Sequence, residues 1–133
     1  MYSTYTLLCR RYGENNVIAW ANLEGSTGKN AEMLFRVQLA IQDASNVIDA
    51  HLAHAYATPF AAIPDTPALI TLLCEKMTAI DLQVNGRGVV EENSMVILWR
   101  DEADTLLKEL KTGKILLSVA RHSSYPQNVK ATT

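Results

Sequence analysis

The chain has 133 residues, of which 48% are hydrophobic, and its formal net charge at pH 7 is −2. A chain of this length forms one globular domain that buries about two-thirds of the surface of its unfolded form. Its longest strong apolar run, "ALITLLC" at residues 68–74, is far shorter than the ~20 residues of a membrane span, and no signal-peptide stretch opens the sequence. We therefore expect a cytosolic protein without membrane contact. The pI of about 5.9 argues against specific nucleic-acid binding, for which a domain pI above about 9 is typical.

The charges are unevenly distributed along the chain. Residues 1–109 hold eight Lys/Arg and all 14 acidic residues, a net charge of −6, whereas residues 110–133 hold four Lys/Arg and no acid, a net charge of +4. A basic extension on an acidic body is typical of a solvated tail, or of an arm that docks on an acidic partner or nucleic acid. We divide the chain into a helical domain, residues 1–113, and an extended C-terminal arm, residues 114–133.

Two short helices are predicted at the start of the chain. Residues 5–12 form the first, capped by Ser3 or Thr4 and stopped by Gly13, and residues 14–22 form the second. Both are too short to be stable alone.

The connection that follows, "LEGSTGKN" at residues 23–30, resembles a phosphate-binding loop at first sight. That loop needs a glycine separated by four residues from its Gly-Lys pair, and a hydroxyl directly after the pair. Here Leu23 and Asn30 occupy those two positions. The segment is therefore predicted to be a flexible connection that ends in an Asn helix cap, and no nucleotide or other cofactor is expected.

Three long helices are predicted next, each from apolar residues spaced by three and four. The first begins after Asn30 and runs to about Tyr56, where three prolines follow within a few residues. The second is capped by Thr66, has Pro67 as its first residue and ends at residues 85–88. The third is capped by Ser94 and ends at Gly113. The stripes are Leu34, Val37, Ile41, Ala44, Ile48 and Leu52; then Leu69, Leu73, Met77, Ile80 and Val84; then Val96, Trp99, Ala103, Leu106 and Leu110.

Each of these helices has to bury its apolar face against the others. The predicted fold is therefore all-α: an antiparallel bundle of three long helices with two short N-terminal helices and an extended C-terminal arm. Trp99 and Leu106 are expected in the bundle core.

Candidate catalytic chemistry is sparse. His51 and His54 share a helix face, but a zinc site needs a third ligand, and Asp49 lies about 200° round the helix from His51. Cys9 and Cys74 are far apart and are expected to be buried thiols. The acidic residues 101, 102 and 104 look equally solvated, whereas acid–base catalysis needs carboxylates in unlike environments. No catalytic residue and no metal site are predicted.

The C-terminal arm is the candidate partner-binding segment. In "KILLSV" at residues 114–119, alternate positions are strongly apolar, as in a strand that adds to the edge of a partner's sheet. The basic charge of the arm favours an acidic partner, and Tyr125 supplies an aromatic anchor. In the alternative, Leu116 and Leu117 pack on their own bundle and the rest is solvated. The candidate contact residues are Ile115, Leu117, Val119, Arg121, Tyr125 and Lys130.

Four stretches, taken in order, resemble a known family. They are "YSTYTLLCRRYG" at residues 2–13, "DASNVIDAHLAHAYATPF" at residues 43–60, "TPALI" at residues 66–70 and "LWRDEADTLLKELKTGKILL" at residues 98–117. The order and spacing of their tyrosine, hydroxyl, arginine, proline and glycine residues are similar to those of the Mu-like head-tail connector proteins of tailed phages and prophages. This family has long been catalogued as a domain of unknown function. The resemblance covers residues 2 to about 117.

The resemblance implies a non-enzymatic structural adaptor in the virion neck, present in the host cytoplasm during assembly. Its copies form a ring, a dodecamer, beneath the portal protein and above a stopper or tail-completion protein. Double-stranded DNA passes through the ring without sequence-specific binding. Two departures stand out: Ala55 replaces an arginine common before the tyrosine that ends the long helix, and residues 120–133 have no counterpart in the family pattern.

Two other function classes stay open at this point. One is a free-standing helical regulator that binds a single host or phage protein through a groove between helices. The other, which the histidine spacing supports only weakly, is a metal-dependent hydrolase.

Overall fold

The computed structural model describes residues 1–23, 28–86, 94–115 and 117, and within them every regular element is helical. The all-α prediction is confirmed. The elements are α1 (Tyr5–Tyr12), α2 (Glu14–Ala21), α3 (Ala31–Leu52), α4 (Ala68–Asp81) with a π-helical turn (Leu82–Gly86) directly after it, and α5 (Ser94–Thr112).

Side-chain caps begin α1 and α3 where the sequence predicts. The hydroxyl of Thr4 accepts a hydrogen bond from the backbone N–H of Leu7 at 3.2 Å, and the amide oxygen of Asn30 accepts one from the N–H of Met33 at 2.9 Å. Each bond satisfies one of the N–H groups that a helix start leaves without a partner. Ser3, the other candidate cap of α1, is buried instead.

Gly13 makes the sharp joint between α1 and α2. Its φ of +91° lies in a region that residues with a Cβ rarely adopt. Its N–H donates to the carbonyl oxygen of Cys9 at 2.7 Å and its carbonyl accepts from Val17 N at 3.1 Å, so it closes one helix and opens the next. A Cβ at this position would meet its nearest neighbour, Asn16 Nδ2, only at 3.6 Å. The need for glycine here is therefore conformational rather than steric.

The three long helices alternate in direction. The end of α4 borders the first half of α3, and Lys76 on α4 forms an ion pair with Glu102 in the middle of α5. α4 packs most extensively on α3 and then on α5, so it is the central helix of the bundle.

Several predicted boundaries are wrong by a few residues. α3 ends at Leu52, four residues before Tyr56. Pro67 rather than Thr66 is the N-cap residue of α4 and makes no side-chain cap, because the Thr66 hydroxyl donates instead to the carbonyl oxygen of Ala61 at 2.6 Å. Ser94 is the first residue of α5.

The central position of α4 explains why its predicted apolar stripe was incomplete. Leu69, Met77 and Val84 are only half-buried, whereas the fully buried set extends round the helix to Ile70, Leu73, Cys74, Glu75, Thr78, Ala79 and Ile80. A helix packed on two sides buries polar as well as apolar positions, and a single stripe does not describe it.

The prediction that Trp99 and Leu106 lie in the core is wrong. Both are half-buried, and Leu107, one residue beyond the predicted stripe, is the core residue of that turn, with Leu110 below it. The buried face of α5 is therefore rotated slightly relative to the face that the apolar spacing predicts.

The N-terminus is held on the bundle before α1 begins. Tyr2 is 2% exposed. Its phenol donates to a carboxylate oxygen of Asp49 and accepts from the N–H of Phe60 at 2.8 Å, while its own N–H donates to Ser45 Oγ at 3.2 Å. Burial, reinforced by Asp49, raises the pKa of this phenol. Tyr2 thus joins α3 to the Pro-rich connection between α3 and α4.

Candidate docking surface

A buried ion pair fastens α1 to α4. The side chain of Glu75 is 2% exposed, Arg11 Nε donates to its Oε1, and Ser3 Oγ donates to its Oε2 at 2.5 Å. Both carboxylate oxygens are therefore engaged by residues of the same chain. This cluster holds the N-terminal helix in place and does not resemble a base aimed at a substrate.

Three aromatic rings pack beside this cluster. The Tyr12 and Trp99 ring centroids are 5.2 Å apart, those of Tyr12 and Trp20 5.7 Å, and those of Trp20 and Trp99 6.4 Å. These separations are those of favourable aromatic pairs. Trp99 thus joins α5 to the two N-terminal helices at the edge of the core. The Tyr12 hydroxyl is buried, and no described residue forms a hydrogen bond with it.

Replacing Tyr12 with Phe is expected to increase the free energy of unfolding by about 1 kcal/mol, because it removes a buried hydroxyl that lacks a partner.

Burial raises the pKa of Tyr12 from 10.0 to about 12; the Arg11 charge opposes the rise, and Glu75 and Glu102 add to it. A raised phenol pKa contributes stability that is complete below pH ~10 and is lost as the pH rises through about 12. The variant should therefore lose less stability than wild type between those pH values in urea titrations. A variant less stable than wild type at pH 7 would contradict this interpretation.

His51 lies on α3, and His54 lies in the turn that follows the helix. His51 is exposed, and its Nδ1 lies 3.0 Å from the carbonyl oxygen of Val47 one turn earlier. His54 is exposed as well. Across the described ranges, no three His, Cys, Asp or Glu residues come together in a group that could hold a metal ion.

The cysteines and the acidic cluster have structural environments. Cys74 is buried, as predicted, but Cys9 is only half-buried; burial raises the pKa of both thiols. Asp101, Glu102 and Asp104 are exposed on α5, consistent with the prediction of a solvated face, and Glu102 pairs with Lys76.

A surface groove runs between α3 and α4. It consists of two adjoining depressions of about 180 and 170 Å³ that share Ala40, Asp43 and Asp81. We define the α3–α4 groove by its central residues, which are Leu39, Ala40, Asp43, Val47, Met77 and Asp81. Its walls are mainly apolar, and two carboxylates lie on them, one from each helix.

The α3–α4 groove is acidic because of the carboxylates of Asp43 and Asp81. Neither Asp43 nor Asp81 forms an ion pair with any residue of the described part of the chain, although Asp81 accepts a hydrogen bond from the Asn85 amide at 2.5 Å. Arg36 borders one end, where its guanidinium donates to the carbonyl oxygen of Ala21 at 2.9 Å. A ligand in this groove would meet apolar surface flanked by two carboxylates.

Large apolar side chains also point to solvent on two different helices. On α3, Phe35 is 63% exposed and Leu39, one turn later, is 51% exposed. At the start of α5, the exposed set is Met95, Ile97 and Leu98. Exposed apolar groups that cluster in this way are typical of protein–protein contacts, and nothing in the helical periodicity of the core predicted them.

Only the beginning of the predicted arm lies within the described residues. Leu117 is 3% exposed in the core of its own chain, and its N–H donates to the Tyr56 hydroxyl at 3.2 Å. Ile115 packs partly against the same core. In this structure Leu117 therefore contacts its own bundle. The other four candidate contact residues, Val119, Arg121, Tyr125 and Lys130, lie outside the described residues.

A comparison with protein-family models matches residues 2–132 to the bacteriophage Mu protein Gp36. The chain belongs to the bacteriophage Mu Gp36 family. The resemblance noted in the sequence is thereby confirmed at the level of a Mu-like phage protein family, and membership supports a phage-related structural or assembly role. The match also corrects one expectation, because it extends through residues 120–132, which we had taken to have no family counterpart. A comparison with curated proteins gave no match.

The residues that carry the family pattern hold the fold together. Tyr2, Ser3 and Arg11 make the buried polar contacts described above, and Tyr56 holds the segment after α5. Of the exposed apolar residues named above and the groove carboxylates, only Leu98 and Asp43 fall within the four stretches that resemble the family. No helix in the described ranges is long and apolar enough to cross a lipid bilayer.

Proposed function

We propose that the protein is a head-tail connector of a tailed phage, without enzymatic activity. Its copies form a ring beneath the portal protein, join the capsid vertex to the neck and tail, and surround the DNA exit channel. The ring is a dodecamer and contacts a stopper or tail-completion protein on its far side. Membership of the Mu Gp36 family supports the phage role, and the surface of the chain supports the ring.

The observation that carries the proposal is the exposure of large apolar side chains on both α3 and α5. A closed ring is built from head-to-tail contacts in which one surface of a copy meets a different surface of the next. Phe35 and Leu39 on α3, and Met95 and Leu98 on α5, provide two such surfaces on one chain. A protein that works alone gains nothing from leaving both in contact with water.

The charge of the helical domain suits a channel through which DNA moves. Residues 1–109 carry a net charge of −6, and the acidic residues 101, 102 and 104 are exposed. Each cation–phosphate contact adds affinity for DNA. A helical domain with an excess of carboxylates therefore lets DNA pass without being held.

Deleting residues 120–133 is expected to abolish co-sedimentation with purified portal rings while leaving thermal unfolding of the isolated protein nearly unchanged. The unfolding midpoint should change by less than about 2 °C, because residues 120–133 contain few large apolar side chains. The deleted residues include the basic groups Arg121 and Lys130 and the aromatic Tyr125, which are the groups proposed to contact the portal or the neighbouring copy.

A matched variant distinguishes the effect of losing the positive charges from the effect of shortening the chain. Arg121→Gln with Lys130→Gln keeps all 133 residues but removes two positive charges, and should weaken co-sedimentation less than the deletion. If the truncated protein assembled on the portal at wild-type affinity, the arm would not be the contact with the portal. Full-length protein that never sediments with portal rings, under conditions where the rings are intact, would contradict the connector function itself.

A further inference from the structure

The α3–α4 groove and the C-terminal arm have complementary chemistry. The groove combines the apolar side chains of Leu39, Val47 and Met77 with the carboxylates of Asp43 and Asp81. Residues 118–133 contain Arg121 and Lys130 and no acidic residue. The same chain therefore provides an acidic apolar surface and a basic segment that matches it.

The arm is long enough to leave its own bundle. Its base is fixed where Leu117 donates to the Tyr56 hydroxyl, just beyond the C-terminal end of α3. The 16 residues that follow Leu117 span up to about 50 Å when extended. The 22 residues of α3 span about 33 Å. An extended arm can therefore reach a groove on an adjacent molecule.

We propose that the α3–α4 groove binds the C-terminal arm of a neighbouring copy. The arm lies along the apolar wall, and its cations face the carboxylates of Asp43 and Asp81. Arm and groove are different surfaces of one chain, so the contact is head-to-tail and repeats from copy to copy. This inference rests on the proposed ring and adds a second contact between its subunits, beside the one between the apolar surfaces of α3 and α5. An arm folded into its own groove would cover both surfaces within one molecule and leave neither for assembly.

Reciprocal charge reversal in the full-length chain tests this contact. One variant carries Asp43→Lys and Asp81→Lys; the other carries Arg121→Glu and Lys130→Glu. In a solution of either variant alone, the arm and the groove carry charges of the same sign at every arm–groove contact. Self-association measured by sedimentation velocity should therefore weaken at least about tenfold. An equimolar mixture restores opposite charges, since each arm then meets the other variant's groove. We expect association of the mixture within about threefold of wild type.

Thermal unfolding of each variant alone provides the folding control. Asp43 is exposed and Asp81 is half-buried, and Arg121 and Lys130 are charged residues in a segment with few large apolar side chains, so both midpoints should stay near wild type. A groove variant that does unfold early is replaced by Asp43→Asn with Asp81→Asn, which removes the charges without reversing them. This variant should weaken self-association, and the loss should shrink as salt concentration rises.

Several results would overturn the proposal. One is a mixture that associates no better than the separate variants. Variants that associate as wild type does would overturn it as well, and so would a wild-type chain that stays monomeric at every concentration. Co-sedimentation with portal rings is scored separately. If charge reversal behaves as expected but wild type does not bind the portal, the arm–groove contact stands and the connector function fails.

Discussion

Replacing Arg11→Ala is expected to lower the free energy of unfolding by about 3 kcal/mol. Glu75 is enclosed, with its side chain 2% exposed, and Arg11 supplies the positive charge beside it. Removing one partner of a buried ion pair costs about 3–5 kcal/mol, since the remaining charge has lost both water and its counter-ion. Arg11 itself is 40% exposed, so water can partly replace it, and we expect the lower end of that range. Urea denaturation at pH 7 measures the difference.

Two matched variants test this interpretation. Glu75→Gln leaves Arg11 free to turn toward solvent and keeps a partner for Ser3, so it should cost only about 1 kcal/mol. Arg10→Ala removes an arginine from the neighbouring exposed position of α1 and should change stability by less than about 0.5 kcal/mol. If Arg11→Ala were no more destabilising than Arg10→Ala, the ion pair would not fasten α1 to α4.

Helix starts and joints were predictable where the signals are local. Thr4 and Asn30 cap helices by bonding to an N–H three residues later, and Gly13 adopts the positive φ that a sharp helix joint requires. Each signal depends on a few consecutive residues, which the sequence shows directly.

The features that were missed depend on tertiary packing. Glu75 is bonded by Ser3 and Arg11, which lie far away in the sequence, and no local pattern marks a glutamate that will be buried. Leu107 is buried, whereas Trp99 is half-buried and packs against Tyr12 of α1. Apolar periodicity shows that a helix has a buried face but does not define the centre of that face to within one residue.

The candidate site was the least predictable part of the molecule. Asp43 and Asp81 belong to different helices and share a groove only because α3 and α4 run antiparallel. Phe35 and Leu39 look like ordinary apolar residues of a helix until the fold places them on the outer face of α3. The family pattern gave no help here, since the positions that identified it are mostly those that hold the fold together.

Replacing Tyr2→Ala is expected to lower the free energy of unfolding by about 3–5 kcal/mol, an unusual cost for the second residue of a chain. Terminal residues are normally frayed and tolerant of change. Tyr2 is instead 2% exposed, and its ring packs edge-on against Phe60, with centroids 5.9 Å apart. The substitution removes a large buried ring and leaves the N–H of Phe60 and the carboxylate of Asp49 without their shared partner.

Comparing Tyr2→Ala with Tyr2→Phe separates the contribution of the ring from that of the hydroxyl. The phenylalanine variant keeps the packing against Phe60 and loses only the two hydrogen bonds of the phenol, so it should cost about 1–3 kcal/mol. Urea denaturation gives both values, and hydrogen exchange at the Phe60 amide reports on the hydrogen bond itself, since protection there should fall in both variants. If Tyr2→Ala cost less than about 1 kcal/mol, the N-terminal residues would be detaching from α3 in solution. The buried tyrosine at the start of the family pattern would then need an explanation other than the stability of the isolated chain.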